Sequence, residues 1–213
     1  MVAALILDFD GLILDTETPL VDAWEAVHAE VGSVFDRGRG EGIIGHVGVA
    51  FDPWEGIALD HERSDLEQRF LRHKNRIIVK QPILPGIIDL LDHARDHGIA
   101  LAVASNSPHV HVDRHLDRLG LIDRFAAIVC REDVPHGKPQ PDVYLAALEN
   151  LGVEAVHAVA FEDSVPGHQA AHAAGLRVAV IPNPCTRAHR FDHAHLQLDA
   201  LDQLSPTKLL AKF

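Results

Sequence analysis

The sequence predicts an α/β protein: a parallel sheet with helices on both faces, interrupted once by a small helical insert. Three observations lead there. Five short apolar runs have the length and make-up of buried parallel strands. Segments of helical periodicity separate most of them, and strand alternating with helix is the pattern of a parallel sheet. Gly98, Gly120, Gly152 and Gly175 each fall just past a periodic apolar segment, where a helix end favours glycine.

The first predicted strand, Val2–Leu7, runs directly into Asp8-Phe9-Asp10-Gly11. The rhythm then breaks. Pro19–Val31 and Glu62–Ile78 read as helices, and the glycine-rich stretch Gly32–Gly56 between them has no strong strand pattern. Pro82 and Pro85-Gly86 mark the return to alternation. Helices are then predicted at Gly86–His97, Val110–Leu119, Asp142–Leu151 and Gly167–Ala174. The strands between and after them are Ile99–Ala104, Ala126–Val129, Ala158–Phe161 and Val178–Ile181. The expected division is a core of residues 1–15 and 81–213 and a helical unit of 16–80, too small to build a large core of its own.

Composition narrows the partners. The chain has 213 residues, 47% hydrophobic and 23% charged, which is ordinary for a globular protein and allows one α/β domain with an insert. A formal net charge of −12 supplies no basic stripe, so neither nucleic acid nor an anionic membrane is expected as a partner. An anionic substrate would need a local site working against that field. Cys130 and Cys185 lack Cys-x-x-Cys spacing, which suits a reduced, cytoplasmic setting. No basic leader precedes the first strand, and no apolar run is long enough to cross a bilayer.

The chemistry falls at four strand ends. Asp8 and Asp10 follow the first strand, Ser105-Asn106-Ser107 the second, Gly137-Lys138-Pro139 lies beyond the third, and Glu162-Asp163-Ser164 follows the fourth. A parallel sheet brings all four to one edge, the edge where ligands of open α/β folds bind. Together they suit phosphoryl transfer. Asp8 is the candidate nucleophile, since an ionised carboxylate can form an acyl phosphate. Asp8, the main-chain carbonyl of Asp10, and Asp163 with Glu162 would hold Mg²⁺, a cation that prefers hard oxygen ligands. Lys138 would favour ionised Asp8 and meet phosphoryl oxygens. Ser105 and the backbone N–H of Asn106 would bind the remaining oxygens. Asp10 would be the general acid and base.

Those residues carry a resemblance. Asp8-Phe9-Asp10-Gly11-Leu12-Ile13-Leu14-Asp15-Thr16-Glu17, Ala104–Pro108, Gly137–Asp142 and Phe161–Gly167, continuing through Ala170–Gly175 to Ile181–Pro184, resemble the haloacid dehalogenase (HAD) superfamily. The likeness is to its β-phosphoglucomutase-like and small-sugar phosphatase branch. It implies a Rossmann-like core, a helical cap inserted after the first motif, Mg²⁺ dependence, and a small phosphorylated metabolite as substrate, with the chain taken as a monomer. Thr16, Glu17 and His46 are the expected specificity contacts.

The insert decides between hydrolysis and mutase chemistry. Mutases of this branch place basic residues in the cap loop and a histidine in the first cap helix. Here Ile44 and Gly48 stand at the basic positions and Leu20 at the histidine, with Arg37, Arg39 and His46 as candidates to compensate. The expectation is therefore a phosphatase of sugar or polyol phosphates, with a phosphohexomutase second and a non-catalytic phosphometabolite-binding module as the rival of another class. Lys74 and Lys80 in the insert lack the desolvated setting that Schiff-base phosphonate chemistry needs. Among the 16 histidines, the pairs His93/His97 and His168/His172 have helical chelate spacing but read as solvated faces, while His109 and His111 lie close to the second motif.

Overall fold

The computed structural model describes residues 2–44, 51–57 and 62–213. Six parallel strands form one sheet in the order β3-β2-β1-β4-β5-β6. They are β1 (Ala4–Leu7), β2 (Ala100–Ala104), β3 (Ala127–Val129), β4 (Ala158–Glu162), β5 (Arg177–Val180) and β6 (Leu196–Gln197). Five match the predicted strands to within two residues at either end. The sixth is two residues long, too short for any periodicity to register.

Alternation along the strands decides which face each side chain covers. Leu5, Leu7, Leu101, Val103, Val159 and Phe161 point to one apolar cluster, shared with Ile87, Leu90 and Leu91 of α4 (Ile87–Asp96) and Val112 and Leu116 of α5 (His109–Arg118). Ala4, Ile6, Ala102, Ala104, Ala158 and Ala160 point to the other. That second face is mostly alanine, so α6 (Asp142–Leu151) and α7 (Val165–Ala173) pack on it through Tyr144, Ala147, Ala170 and Ala171. All four β1 residues are fully buried. Each large aliphatic side chain so buried contributes about 1.5–3 kcal/mol. The four predicted cap glycines all adopt positive φ.

Between β1 and α4 lie α1 (Thr18–Glu30), α2 (Arg37–Ile43) and α3 (Arg63–Ile78). They share a separate apolar cluster of Val21, Trp24, Val27, Ile44, Trp54 and Leu66, with Trp24 stacked on Phe70 at 5.8 Å. Cys185, from the loop after β5, packs into the same cluster. Helix α2 departs from expectation, since three of its seven residues are glycine. Its hold comes instead from the Asp36 side chain, which accepts the Arg39 N–H, and from a 2.7 Å Arg37–Glu41 pair one turn apart. A short α8 (Pro206–Leu210) closes the chain.

His168 corrects the reading of its helix face as solvated. It is buried, edge-on to Phe191 at 5.3 Å, because α7 turns that face toward the alanine side of the sheet. His172 and His97 are exposed.

Candidate active site

The sheet order reverses at β1, which has β2 on one side and β4 on the other. A crevice at such a reversal is the usual ligand site of an open parallel sheet. Here it is a cavity of about 520 Å³ lined by Asp8, Asp10, Ser105, Asn106, Lys138 and Asp163 from the sheet edge. Thr16, Glu17, Leu20, Ile43, Ile44, Lys74 and Ile78 close it from the helical side.

Lys138 is the hub. It enters from the loop after β3, almost fully buried, and its Nζ donates to Asp8 Oδ1 at 2.5 Å and to Glu162 Oε1 at 2.6 Å. The Asn106 side chain grips its backbone at both ends, accepting the Lys138 N–H at 2.7 Å and donating to its carbonyl at 3.1 Å. Ser105 Oγ accepts the Ser107 N–H at 2.9 Å, leaving its own hydroxyl proton to point elsewhere.

The four expected metal ligands are not alike. Asp8, Glu162 and Asp163 each bring a carboxylate oxygen within 4.8 Å of the other two. Both Glu162 oxygens already have donors: Lys138 and the Tyr144 hydroxyl on Oε1, and the Asp163 and Ser164 N–H groups with the Ser164 hydroxyl on Oε2. Asp163 Oδ2 accepts from Asn183 at 2.6 Å, whereas its buried Oδ1 has no hydrogen-bond partner. Asp10 has its carboxylate held by three groups, Thr16 Oγ1 at 2.7 Å, Ser107 Oγ at 2.6 Å and His111 Nε2 at 2.9 Å. Thr16, expected to touch substrate, thus also fixes Asp10.

Charge sets the character of the floor. Burial pushes the Asp8 carboxyl up to about 8; Lys138 pulls it down, but Glu162 and Asp10 push with the burial. Burial likewise lifts Glu17 to about 8 and Asp163 well above the ordinary range, Glu17 adding its repulsion to Asp163. Asp10 goes the other way: burial opposes its charge, but the His111, Ser107 and Thr16 hydrogen bonds win and hold it low. One ammonium among several buried carboxylates is too little positive charge. Hard oxygens and the unpartnered Asp163 Oδ1 fit a small divalent cation such as Mg²⁺.

A stability test follows for the metal-free chain. Folded Asp8 and Glu17 keep their protons to about pH 8, while unfolded they release them near 4. The native state therefore binds more protons across that window, and stability present below pH 4 is lost as pH rises through it. In EDTA the melting temperature is expected to fall between pH 5 and 8, and saturating Mg²⁺ to flatten the fall. A melting temperature that climbs with pH in EDTA contradicts this electrostatic picture.

Other expected residues lie elsewhere. Arg37 is bound to Asp22, Glu25 and Glu41, and Arg39 to Glu55; neither lines the cavity. His46 and Gly48 lie outside the described residues. His109 is turned to Asp113 and Asp133, so of that pair His111 alone reaches the cavity. Sequence reasoning gave no role to Tyr144 or Asn183. Asn183 had a usable signal, since it follows the fifth strand at the same sheet edge; Tyr144, inside a helix, had none.

A family model for haloacid dehalogenase-like hydrolases matches residues 2–175. YhcW of Bacillus subtilis is 36% identical over 216 residues, covering 99% of this chain and 97% of its own. Hexitol phosphatase B of Escherichia coli K12 is 32% identical over 222 residues, covering 98% and 97%. The crystal structure of CbbY from Rhodobacter sphaeroides in complex with phosphate superposes with a TM-score of 0.76 at 29% identity, covering 96% of each chain.

Proposed function

The chain belongs to the haloacid dehalogenase-like hydrolase family, and from that premise we propose that it is a Mg²⁺-dependent phosphatase of small sugar or polyol phosphates. The observation that carries this reading is Asp8, buried at the floor of the cavity between Lys138 and the unpartnered oxygen of Asp163. The relatives agree in kind: one is named a hexitol phosphatase, another a phosphorylated carbohydrates phosphatase.

Asp8 attacks phosphorus, forming its acyl–phosphate bond as the ester P–O bond breaks. Asp10 gives a proton to the departing oxygen; because its hydrogen bonds hold the carboxyl low, it must take up that proton as the anionic substrate binds beside it. It then takes one from the water that attacks the same phosphorus, freeing phosphate and Asp8. Lys138 works against the burial that keeps Asp8 protonated in the metal-free chain, and Asp8 would complete its ionisation beside a bound cation. The lysine's charge meets the phosphoryl oxygens, as the Ser105 hydroxyl does. The Asp8 and Asp163 carboxylates and the Asp10 main-chain carbonyl would hold Mg²⁺, with Glu162 steadying Lys138. When bound, the ion supplies positive charge that offsets repulsion between the carboxylates and the phosphate dianion.

Residues 16–80 act in this reading as a cap over the core of 1–15 and 81–213, and limit access by bulk water. The cap's share of the cavity is Thr16, Glu17, Leu20, Ile43, Ile44 and Ile78 with Lys74 as its cation among the described residues. That wall suits a short carbon chain carrying one phosphate better than a bisphosphate, which favours hydrolysis over mutase chemistry. Two buried, unpaired cysteines with thiols pushed up to about 12 fit a reduced, cytoplasmic setting, and a monomer suffices for the site. Among the described residues no helix is long and apolar enough to cross a membrane.

The test is a panel of hexose, hexitol and smaller phosphomonoesters with Mg²⁺ or EDTA, reading free phosphate and sugar isomers together. Mg²⁺-dependent phosphate release is expected. Isomer exchange without release would make the chain a mutase, and ligand binding without product would make it a binding module.

A further inference from the structure

We propose that Asn183 is a positioning residue for the metal site: its side-chain amide is a strut that holds Asp163 by one oxygen and leaves the other for the cation. The inference rests on the metal reading above and concerns a residue outside the four clusters. Asn183 is buried in the loop after β5, beside β4.

Its amide has all four hydrogen-bonding positions filled, and its orientation is forced. Oδ1 accepts the Cys185 N–H at 2.7 Å and the Thr186 N–H at 3.2 Å, and an amide turned over would aim its own N–H groups at those two donors. The Asn183 N–H is itself tied to Thr186 Oγ1 at 3.1 Å. Anchored from behind, Nδ2 sends one hydrogen to Asp163 Oδ2 at 2.6 Å and the other to Glu17 Oε2. A neutral donor pair thus bridges two carboxylates that otherwise repel each other. The bridge is packed from the front by Gly11, whose φ of +78° and missing side chain admit both groups: a Cβ there would strike the Asp163 carboxylate and the Asn183 amide. Oδ2 is therefore occupied and fixed, and Oδ1 is the buried atom left without a partner.

Groups that orient a metal ligand from behind set about 10–100-fold of metal affinity. Asn183→Ala in the full chain is expected to weaken Mg²⁺ binding, read by calorimetry and by the Mg²⁺-dependent rise in melting temperature, by at least about tenfold. Raising Mg²⁺ should restore kcat, with KM for a phosphomonoester within about twofold. Thr186→Val is the comparison, because it removes a bond of the turn but keeps the strut. It should melt lower yet bind Mg²⁺ within about twofold of the parent. Asn183→Ser, which keeps an oxygen in the turn but cannot reach Asp163, gives the same readout if the alanine variant does not fold. Unchanged Mg²⁺ affinity in the Asn183 variants, or equal weakening in Thr186→Val, overturns the strut. Asp163→Ala separates the two levels: if it too binds Mg²⁺ like the parent, the metal reading itself has failed.

Discussion

Asp8→Asn is expected to lower kcat by roughly four orders of magnitude or more, the scale seen when a nucleophile is removed, while leaving the fold no less stable. The amide cannot form the acyl phosphate, so the first bond-making step is lost. Its carbonyl oxygen can still accept from Lys138, and Lys138 keeps Glu162 as a counter-ion. What disappears is a charge that burial disfavours and that Glu162 and Asp10 repel. In EDTA at pH 8 the variant should melt at or above the parent's temperature. Phosphate release at the parent's rate in the presence of Mg²⁺ would remove Asp8 from the mechanism.

Lys138→Met is the opposite case, costing both activity and fold. The lysine is the counter-charge of two buried carboxylates, 2.5 and 2.6 Å away. Removing one member of such a cluster destabilises by about 3–5 kcal/mol, because the remaining charges stay buried and unpaired. In a domain of this size that lowers the melting temperature by roughly 6–20 °C. The loss should grow as pH rises above 8, since below that Asp8, with its carboxyl lifted to about 8, holds a proton in parent and variant alike, and above it only the parent has Lys138 to offset the Asp8 charge. A melting temperature within about 2 °C of the parent at pH 8 would mean that Lys138 adds little net stability to the buried cluster.

The site was readable in the sequence to the extent that it is made by topology. Asp8, Ser105, Lys138 and Asp163 follow strands whose apolar runs are unmistakable, and a parallel sheet leaves them one place to meet. Asn183 lies at the same edge, just past the fifth strand, and so is within reach of topology too. Tyr144 is out of that reach, since it arrives from a helix, where the direction of a side chain depends on how the helix packs; His111, also on a helix, is marked in the sequence only by its closeness to the second motif. Helix α2 was hidden for another reason. Its glycines carry no helical preference, and its support is a cap and ion pairs to α1 that are visible only after folding. The cap wall was the least legible part, because Leu20, Ile44 and Ile78 look like any buried apolar residues until they are seen facing Asp10 and Lys138 across a cavity.

The chain contains a single tyrosine, and its hydroxyl lies 2.6 Å from Glu162, against the very carboxylate that shares Lys138 with Asp8. Fluorotyrosine incorporation would therefore yield one ¹⁹F resonance, with nothing to assign, linked to Asp8 through three hydrogen bonds by way of Glu162 and Lys138. Ion uptake, covalent phosphorylation and product departure could each be followed in solution by that one signal, without attaching a dye or altering any group that reacts.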